Sequence, residues 1–213
     1  MPPRSRPYPV PLRKRLFDLA LTLPILVILS PVMLVTALAI WLLEGRPIFF
    51  RQARPGLGGK IFTVIKFRTM RSETFPDGRL LPDSARLSRL GRLLRATSVD
   101  ELPELWNILR GEMSLVGPRP LLTAYLERYS PQQARRHNVL PGLTGWAQVN
   151  GRNSVSWDEK FRLDVWYVDH WSLRLDIKIM WLTVWKVLKR EGINQPGSDT
   201  AEEFMGPADP PAG

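Results

Sequence analysis

Leu19-Ala20-Leu21-Thr22-Leu23-Pro24-Ile25-Leu26-Val27-Ile28-Leu29-Ser30-Pro31-Val32-Met33-Leu34-Val35-Thr36-Ala37-Leu38-Ala39-Ile40-Trp41-Leu42-Leu43 runs without a single charged side chain. A helix needs about 20 apolar residues to match the hydrocarbon core of a bilayer, and this stretch is longer. Its flanks are basic on both sides: Arg4, Arg6, Arg13, Lys14 and Arg15 precede it, and Arg46, Arg51, Arg54 and Lys60 follow. Basic residues beside membrane segments stay on the cytoplasmic side. A single straight span cannot place both flanks there. Ser30-Pro31 lies near the middle. Pro31 has no N–H and its ring crowds the carbonyl four residues back, which bends a helix. Ser30 can hydrogen-bond a backbone group so freed. Two readings fit: a re-entrant helix that dips, breaks at Ser30-Pro31 and returns to the same face, or an ordinary span with a proline kink.

The chain has 213 residues, a formal charge of +10 and a pI near 10.5. That length suits one core plus a membrane element. Excess positive charge serves nucleic acid, anionic lipid or phosphate-rich substrates, and beside a membrane helix the last two come first. The basic residues are scattered among glycine–proline motifs and form no recognition helix, which argues against nucleic acid. Cysteine is absent, so there is no disulfide framework and no thiol nucleophile. The only histidines are His137 and His170, too few for a histidine-rich metal site. The basic-then-apolar start is too long for a signal peptide, and no small-residue cleavage site follows it.

Beyond the apolar run, expected to be helical from Phe17 to Leu43, Ile48 to Met70 reads as a hairpin around Pro55-Gly56-Leu57-Gly58-Gly59. Helices are expected over 85–95, 102–109, 121–129, 132–138, 158–169 and 175–190, with Pro131 as a divider and 141–152 as a glycine-studded loop. Leu175, Ile179, Leu182 and Trp185 fall on roughly one face of the last helix. Tryptophans crowd the C-terminal third, suiting either a membrane–water boundary or a small helical core. The expected fold is α+β and mostly helical. Its parts are an N-terminal arm with a re-entrant membrane helix (1–45), a catalytic domain at the membrane face (46–193) and a disordered tail (194–213).

The candidate chemistry centres on Thr97-Ser98-Val99-Asp100-Glu101-Leu102-Pro103-Glu104-Leu105. Pro103 is tolerated only in a first helical turn, which places a helix start near Asp100. Free N–H groups there favour anions. A carboxylate so placed stays ionised, fit to be a nucleophile or a metal ligand. The same residues also read as plain capping, because Ser98-x-x-Glu101 is a capping-box pattern and aspartate is a good N-cap. Lys66, Arg68, Arg92, Arg95, Arg119 and Arg152 lie in or beside turn-rich motifs, and guanidinium forks match phosphate oxygens. No Walker loop or dinucleotide fingerprint is present.

The ordered set of motifs resembles the bacterial sugar transferases, the monotopic polyprenol-phosphate phosphoglycosyl transferases, in their compact catalytic form. The residues that carry it are Phe17-Asp18, Ser30-Pro31, Lys66-Phe67-Arg68-Thr69-Met70, Asp100-Glu101-Leu102-Pro103, Gly117-Pro118-Arg119-Pro120, Pro141-Gly142-Leu143-Thr144-Gly145 with Gly151-Arg152, and Asp164-Val165-Trp166-Tyr167-Val168. The resemblance implies a re-entrant helix broken at Ser30-Pro31, on the cytoplasmic face of the bacterial inner membrane. It implies that Asp100 attacks the β-phosphate of a UDP-sugar. UMP would leave, and a polyprenol (undecaprenyl) phosphate would then take the phosphosugar from the enzyme. Glu101 falls at the family's Mg²⁺ ligand. Lys66, Arg68, Arg95, Arg119 and Arg152 are expected to bind substrate phosphates, with Asp164 and Asp176 as supporting polar residues. Membrane lipid is an implied partner, and a homodimer stays open. Rival readings are a metal-dependent glycosyltransferase that releases UDP and a non-catalytic membrane scaffold.

Overall fold

A computed structural model describes residues 7–71, 81–151, 155–189 and 203–206. Helix α1 (Leu12–Glu44) begins after extended Pro11 and keeps both Pro24 and Pro31 inside it. It starts about two turns before its apolar run, because Lys14 and Asp18 have partners in the domain. Ser30-Pro31 does not interrupt it. The Ser30 hydroxyl donates to the Val27 carbonyl at 2.8 Å, the acceptor that the missing Pro31 N–H leaves free.

Both ends of α1 dock on one folded body. Lys14, Asp18 and Thr22 are buried at one end, Thr36 and Ile40 at the other. Between them Leu23, Val27, Ile28, Leu34 and Val35 are exposed. Leu21, Ile25 and Leu26 pack on the main core, while Met33, Ala37 and Ile40 meet Phe67 and Leu94. The first end is fixed by a buried polar network. Lys14 donates to Asp176 at 2.7 Å and lies 3.4 Å from Asp18. Asp176 also accepts from the Tyr167 hydroxyl at 2.7 Å and the Trp171 indole at 3.1 Å. Asp18 accepts from the Ser114 hydroxyl and the Leu115 N–H. Buried charges persist only when paired in this way. Arg15 donates to the carbonyls of Ile108 and Leu109.

The hairpin forms as expected. Strand β1 (Phe49–Pro55) pairs antiparallel with β2 (Ile61–Phe67), from Phe49↔Phe67 to Pro55↔Ile61. Gly58 and Gly59 supply the positive φ of the turn. A short α2 (Asp83–Arg86) follows, then α3 (Arg89–Ala96), capped by Ser88. The next helix, α4 (Glu104–Arg110), stops at Gly111 in the left-handed conformation. Strand β3 (Ser114–Val116) pairs in parallel with β4 (Gly142–Thr144). Two expectations change between these strands. Residues 123–127 form a tighter 3-10 turn, and Pro131 opens α5 (Pro131–Ala134), with Ser130 and Gln133 making a capping box. Residues 141–152, expected as a loop, contain β4 and α6 (Trp146–Asn150). The glycines there serve close approach and not looseness. A Cβ on Gly142 would stand 2.0 Å from the Gly117 nitrogen, and one on Gly145 would stand 2.2 Å from the Gly117 carbonyl oxygen. Two motif segments thus meet backbone to backbone.

Helices α7 (Trp157–His170) and α8 (Leu173–Leu188) complete the domain. Leu105, Ile108, Met113, Val116, Tyr167 and Ile179 form the centre of its core. On α8, Ile179 is fully buried, whereas Ile177, Trp181, Val184 and Trp185 are exposed. Trp185 therefore belongs to the outer face with Trp181 and not to the face of Ile179. Of the tail expected to be disordered, residues 203–206 are described. Phe204 there is 2% exposed among Tyr125, Tyr129, Trp157 and Phe161.

Gly142→Ala should cost about 3 kcal/mol or more, since backbone rather than a movable side chain meets the new methyl. Thermal unfolding checks it, and a wild-type melting temperature would refute the close-approach reading.

Candidate active site

The turn that carries Asp100 is built by one strained residue. After α3 the chain passes through Ser98 at φ 57°, the one non-glycine with positive φ among the described residues, into a 3-10 turn over Val99–Glu101. A non-glycine residue enters that region at a cost, and such positions cluster at functional sites. Neither the Ser98 side chain nor the residue before α4, Pro103, makes a side-chain cap. The capping reading of this segment therefore fails, because α4 begins at Glu104, past both carboxylates.

Asp100 is buried, at 8% exposure. Among the described residues no hydrogen bond reaches its carboxylate. Burial pushes its pKa up to about 6, and the charge of Glu101 adds to this. Lys66, Arg119 and Arg95 pull the other way. The group is thus less fully ionised than the sequence suggested, yet mostly charged at neutral pH. Its lone pairs are not engaged by donors, as a nucleophile requires.

Glu101 is the opposite case. It accepts from Lys66 at 2.7 Å, and the Arg119 guanidinium forks onto both of its oxygens. Burial alone would raise its pKa, but Arg119 and Lys66 hold it well below the usual range. Lys66 lies 3.0 Å from Glu104 as well. Burial raises Glu104 to about 7 although Lys66 opposes it.

The elements that present these groups are set by local sequence. Alternation along β2 turns Lys66 to the inner face with Val64. A Cβ on Gly91 would stand 2.0 Å from the Thr69 carbonyl oxygen. Only glycine lets α3 approach this closely, and Arg95 then donates to the Thr69 hydroxyl at 3.1 Å. Arg119 is held from behind, because Arg136 donates to its carbonyl at 2.6 Å and to Asp164 at 2.7 and 3.0 Å.

The structure thus gathers Lys66, Arg95, Asp100, Glu101 and Arg119. Asp164 supports Arg119 through Arg136, while Asp176 anchors α1. Arg68 turns away and donates to the carbonyls of Glu44, Gly45 and Arg46 at the end of α1. Arg152 lies outside the described residues. Glu104 and Arg54 were not foreseen as site residues. Strand parity could have flagged Arg54, since Arg54, Gln52, Val64 and Lys66 share one face of the hairpin. Both residues line a pocket of about 180 Å³ with Lys66, Arg119, Tyr125 and Trp157. Asp100 and Glu101 do not line it; they adjoin it through Lys66 and Arg119.

Among the described residues no group of three or more acidic, histidine or cysteine side chains forms a metal cage. Mg²⁺ usually takes one or two carboxylates plus water and substrate phosphates. Glu101 fits that mode. It is ionised, and one of its oxygens receives only a long 3.4 Å bond from Arg119.

The chain is 57% identical over 196 residues to the uncharacterized sugar transferase EpsL of Bacillus subtilis, covering 92% of this chain and 97% of that protein. It is 45% identical over 185 residues to a UDP-glucose:undecaprenyl-phosphate glucose-1-phosphate transferase of Caulobacter vibrioides, covering 82% of this chain and 69% of that protein. An Escherichia coli protein of the same name is 40% identical over 187 residues, and the match spans 82% of this chain and 40% of that longer relative. Residues 10–190 match the family described as bacterial sugar transferase, and the chain belongs to that family.

Proposed function

We propose that this chain moves a sugar phosphate from a UDP-sugar to undecaprenyl or another polyprenol phosphate at a membrane surface, with Asp100 as the nucleophile. The names of its relatives support the general reaction. The observation that carries the finer reading is Asp100 itself, a buried carboxylate free of hydrogen bonds beside a lysine and two arginines.

In the first step an Asp100 oxygen forms a bond to the β-phosphorus, and the bond from that phosphorus to the bridging oxygen breaks. The electron pair leaves on the α-phosphate of UMP. In the second step a phosphate oxygen of the polyprenol attacks the same phosphorus. The acyl phosphate bond breaks and the carboxylate returns. Lys66, Arg95 and Arg119 hold positive charge where phosphate oxygens gather negative charge. Glu101 would hold Mg²⁺, whose charge would add to this screening. Glu101 also fixes Lys66 and Arg119 before substrate arrives.

Membrane placement follows from α1. A straight helix of 33 residues is about 50 Å long and would leave its ends on opposite sides of a 30 Å hydrocarbon core. Both ends here meet one domain, which supports a helix that returns to one membrane face although it stays helical through Ser30-Pro31, and the basic flanks favour the cytoplasmic side for that domain. The exposed face of α8, with Trp181 and Trp185, fits the same interface.

Single cysteines at Arg13 and Arg51 should therefore share one accessibility to an impermeant thiol reagent. Labelling of one alone in intact cells would restore the straight span.

Asp100→Asn should abolish turnover and acid-stable labelling by a radiolabelled UDP-sugar, since an amide forms no acyl phosphate. Its fold should not suffer. A raised pKa means the Asp100 charge lowers stability as pH rises from about 4 to 6, and the amide escapes that loss. At pH 8 its melting temperature should equal or exceed wild type. An active variant, or wild-type release of UDP in place of UMP, would defeat this mechanism.

Wild-type turnover should fall about tenfold for each pH unit below about 6, as Asp100 takes up its proton. A flat profile down to pH 5 would remove Asp100 as the titrating nucleophile.

Glu101→Gln should need much more Mg²⁺ or lose activity, because an amide is a weak ligand for a hard cation. Unchanged activity at low Mg²⁺ would remove Glu101 from the metal role.

A further inference from the structure

The pocket beside Asp100 holds three cations, and they are not equivalent. Lys66 is shared by Glu101 and Glu104, and Arg119 is clamped on Glu101. Arg54 makes no ion pair among the described residues. Its one side-chain partner there is the amide oxygen of Gln52, at 2.5 Å. That contact fits the strand, because Gln52 and Arg54 are two residues apart on the same face. The amide aims the guanidinium but carries no charge to pair with it. Burial and the nearby Arg119 both disfavour the charged form of Arg54. An anion between the two guanidinium groups would relieve both effects.

We propose that Arg54, with Arg119, forms the phosphate subsite for the nucleoside monophosphate half of the donor. This rests on the reading above, in which the phosphorus under attack lies at Asp100. Arg119, like Lys66, links that point to the pocket, because it pairs with Glu101 and also lines the pocket with Arg54. Arg119 therefore joins the pocket that holds Arg54 to the adjoining Asp100–Glu101 segment. With the outer phosphate at Asp100, the inner phosphate one bridging oxygen away falls toward Arg54. That inner phosphate takes the electron pair when the bridge breaks, so a guanidinium there stabilises the charge that develops. The nucleoside would continue toward Tyr125 and Trp157, the aromatic wall of the same pocket. Gln52 is a positioning residue for Arg54.

The test is binding of UMP and of uridine to the purified full-length protein, measured by calorimetry for wild type, Arg54→Gln and Arg54→Lys. A guanidinium–phosphate fork is worth about 10- to 100-fold in affinity. Arg54→Gln should weaken UMP by that factor and leave uridine unchanged. Arg54→Lys should lie between, since it keeps charge without the planar fork. It also serves as the folded variant if Arg54→Gln loses its melting transition. In steady state the KM for the UDP-sugar should rise and the KM for polyprenol phosphate should not. Unchanged UMP affinity in both variants would overturn the subsite, as would equal weakening of UMP and uridine. A raised KM for the acceptor alone would overturn it in favour of an acceptor subsite. Wild-type turnover that releases UDP would refute the reaction reading, while the UMP–uridine comparison would still decide the subsite.

Discussion

One carboxylate organises the site. Glu101 takes a lysine from the hairpin and an arginine from the Gly117–Pro120 segment, so three stretches far apart in sequence meet at one group. Its ion pairs offset the cost of burying it. They also leave Asp100, one residue earlier, beside positive charge and without a donor of its own. Adjacent carboxylates thus acquire opposite characters. One is ion-paired and held ionised, and the other has no donor and is raised to about 6. Divergent environments of this kind assign separate roles to neighbouring acids.

The glycines of the motifs maintain this arrangement by contact and not by freedom. Gly91 lets α3 lie against the Thr69 carbonyl, which brings Arg95 beside the Lys66–Met70 strand end. Gly117, Gly142 and Gly145 interlock where β3 and β4 run side by side. Arg119 leaves that junction with its carbonyl held by Arg136, whose own charge is matched by the buried Asp164. The arginine that meets Glu101 is thereby aimed from its backbone outward.

The membrane helix is joined to the same body at both ends. The Lys14–Asp176 pair ties its start to α8, and the three carbonyls at its end are gathered by Arg68, two residues after Lys66 of the hairpin. The apolar element and the charged site are therefore one mechanical unit. That suits a site serving a soluble donor and a lipid acceptor.

By itself the sequence determined the apolar helix, the hairpin and the motif residues Lys66, Arg95, Asp100, Glu101 and Arg119. Each of these signals is local: an uncharged run, strand alternation around a glycine turn, or a short motif. It left capping and chemistry unresolved at Asp100, because both use the same residue types at the same spacing. Only the tertiary structure removed the capping reading, through the strained Ser98 and a helix that starts at Glu104. It also turned the expected loop at 141–152 into a strand and a helix, since the need for Gly142 is created by Gly117, which is distant in the chain. It sent Arg68 to the end of α1 and brought Arg54 and Glu104 to the pocket. Burial, partners and facing charges depend on elements far apart in sequence, and no window of residues contains them.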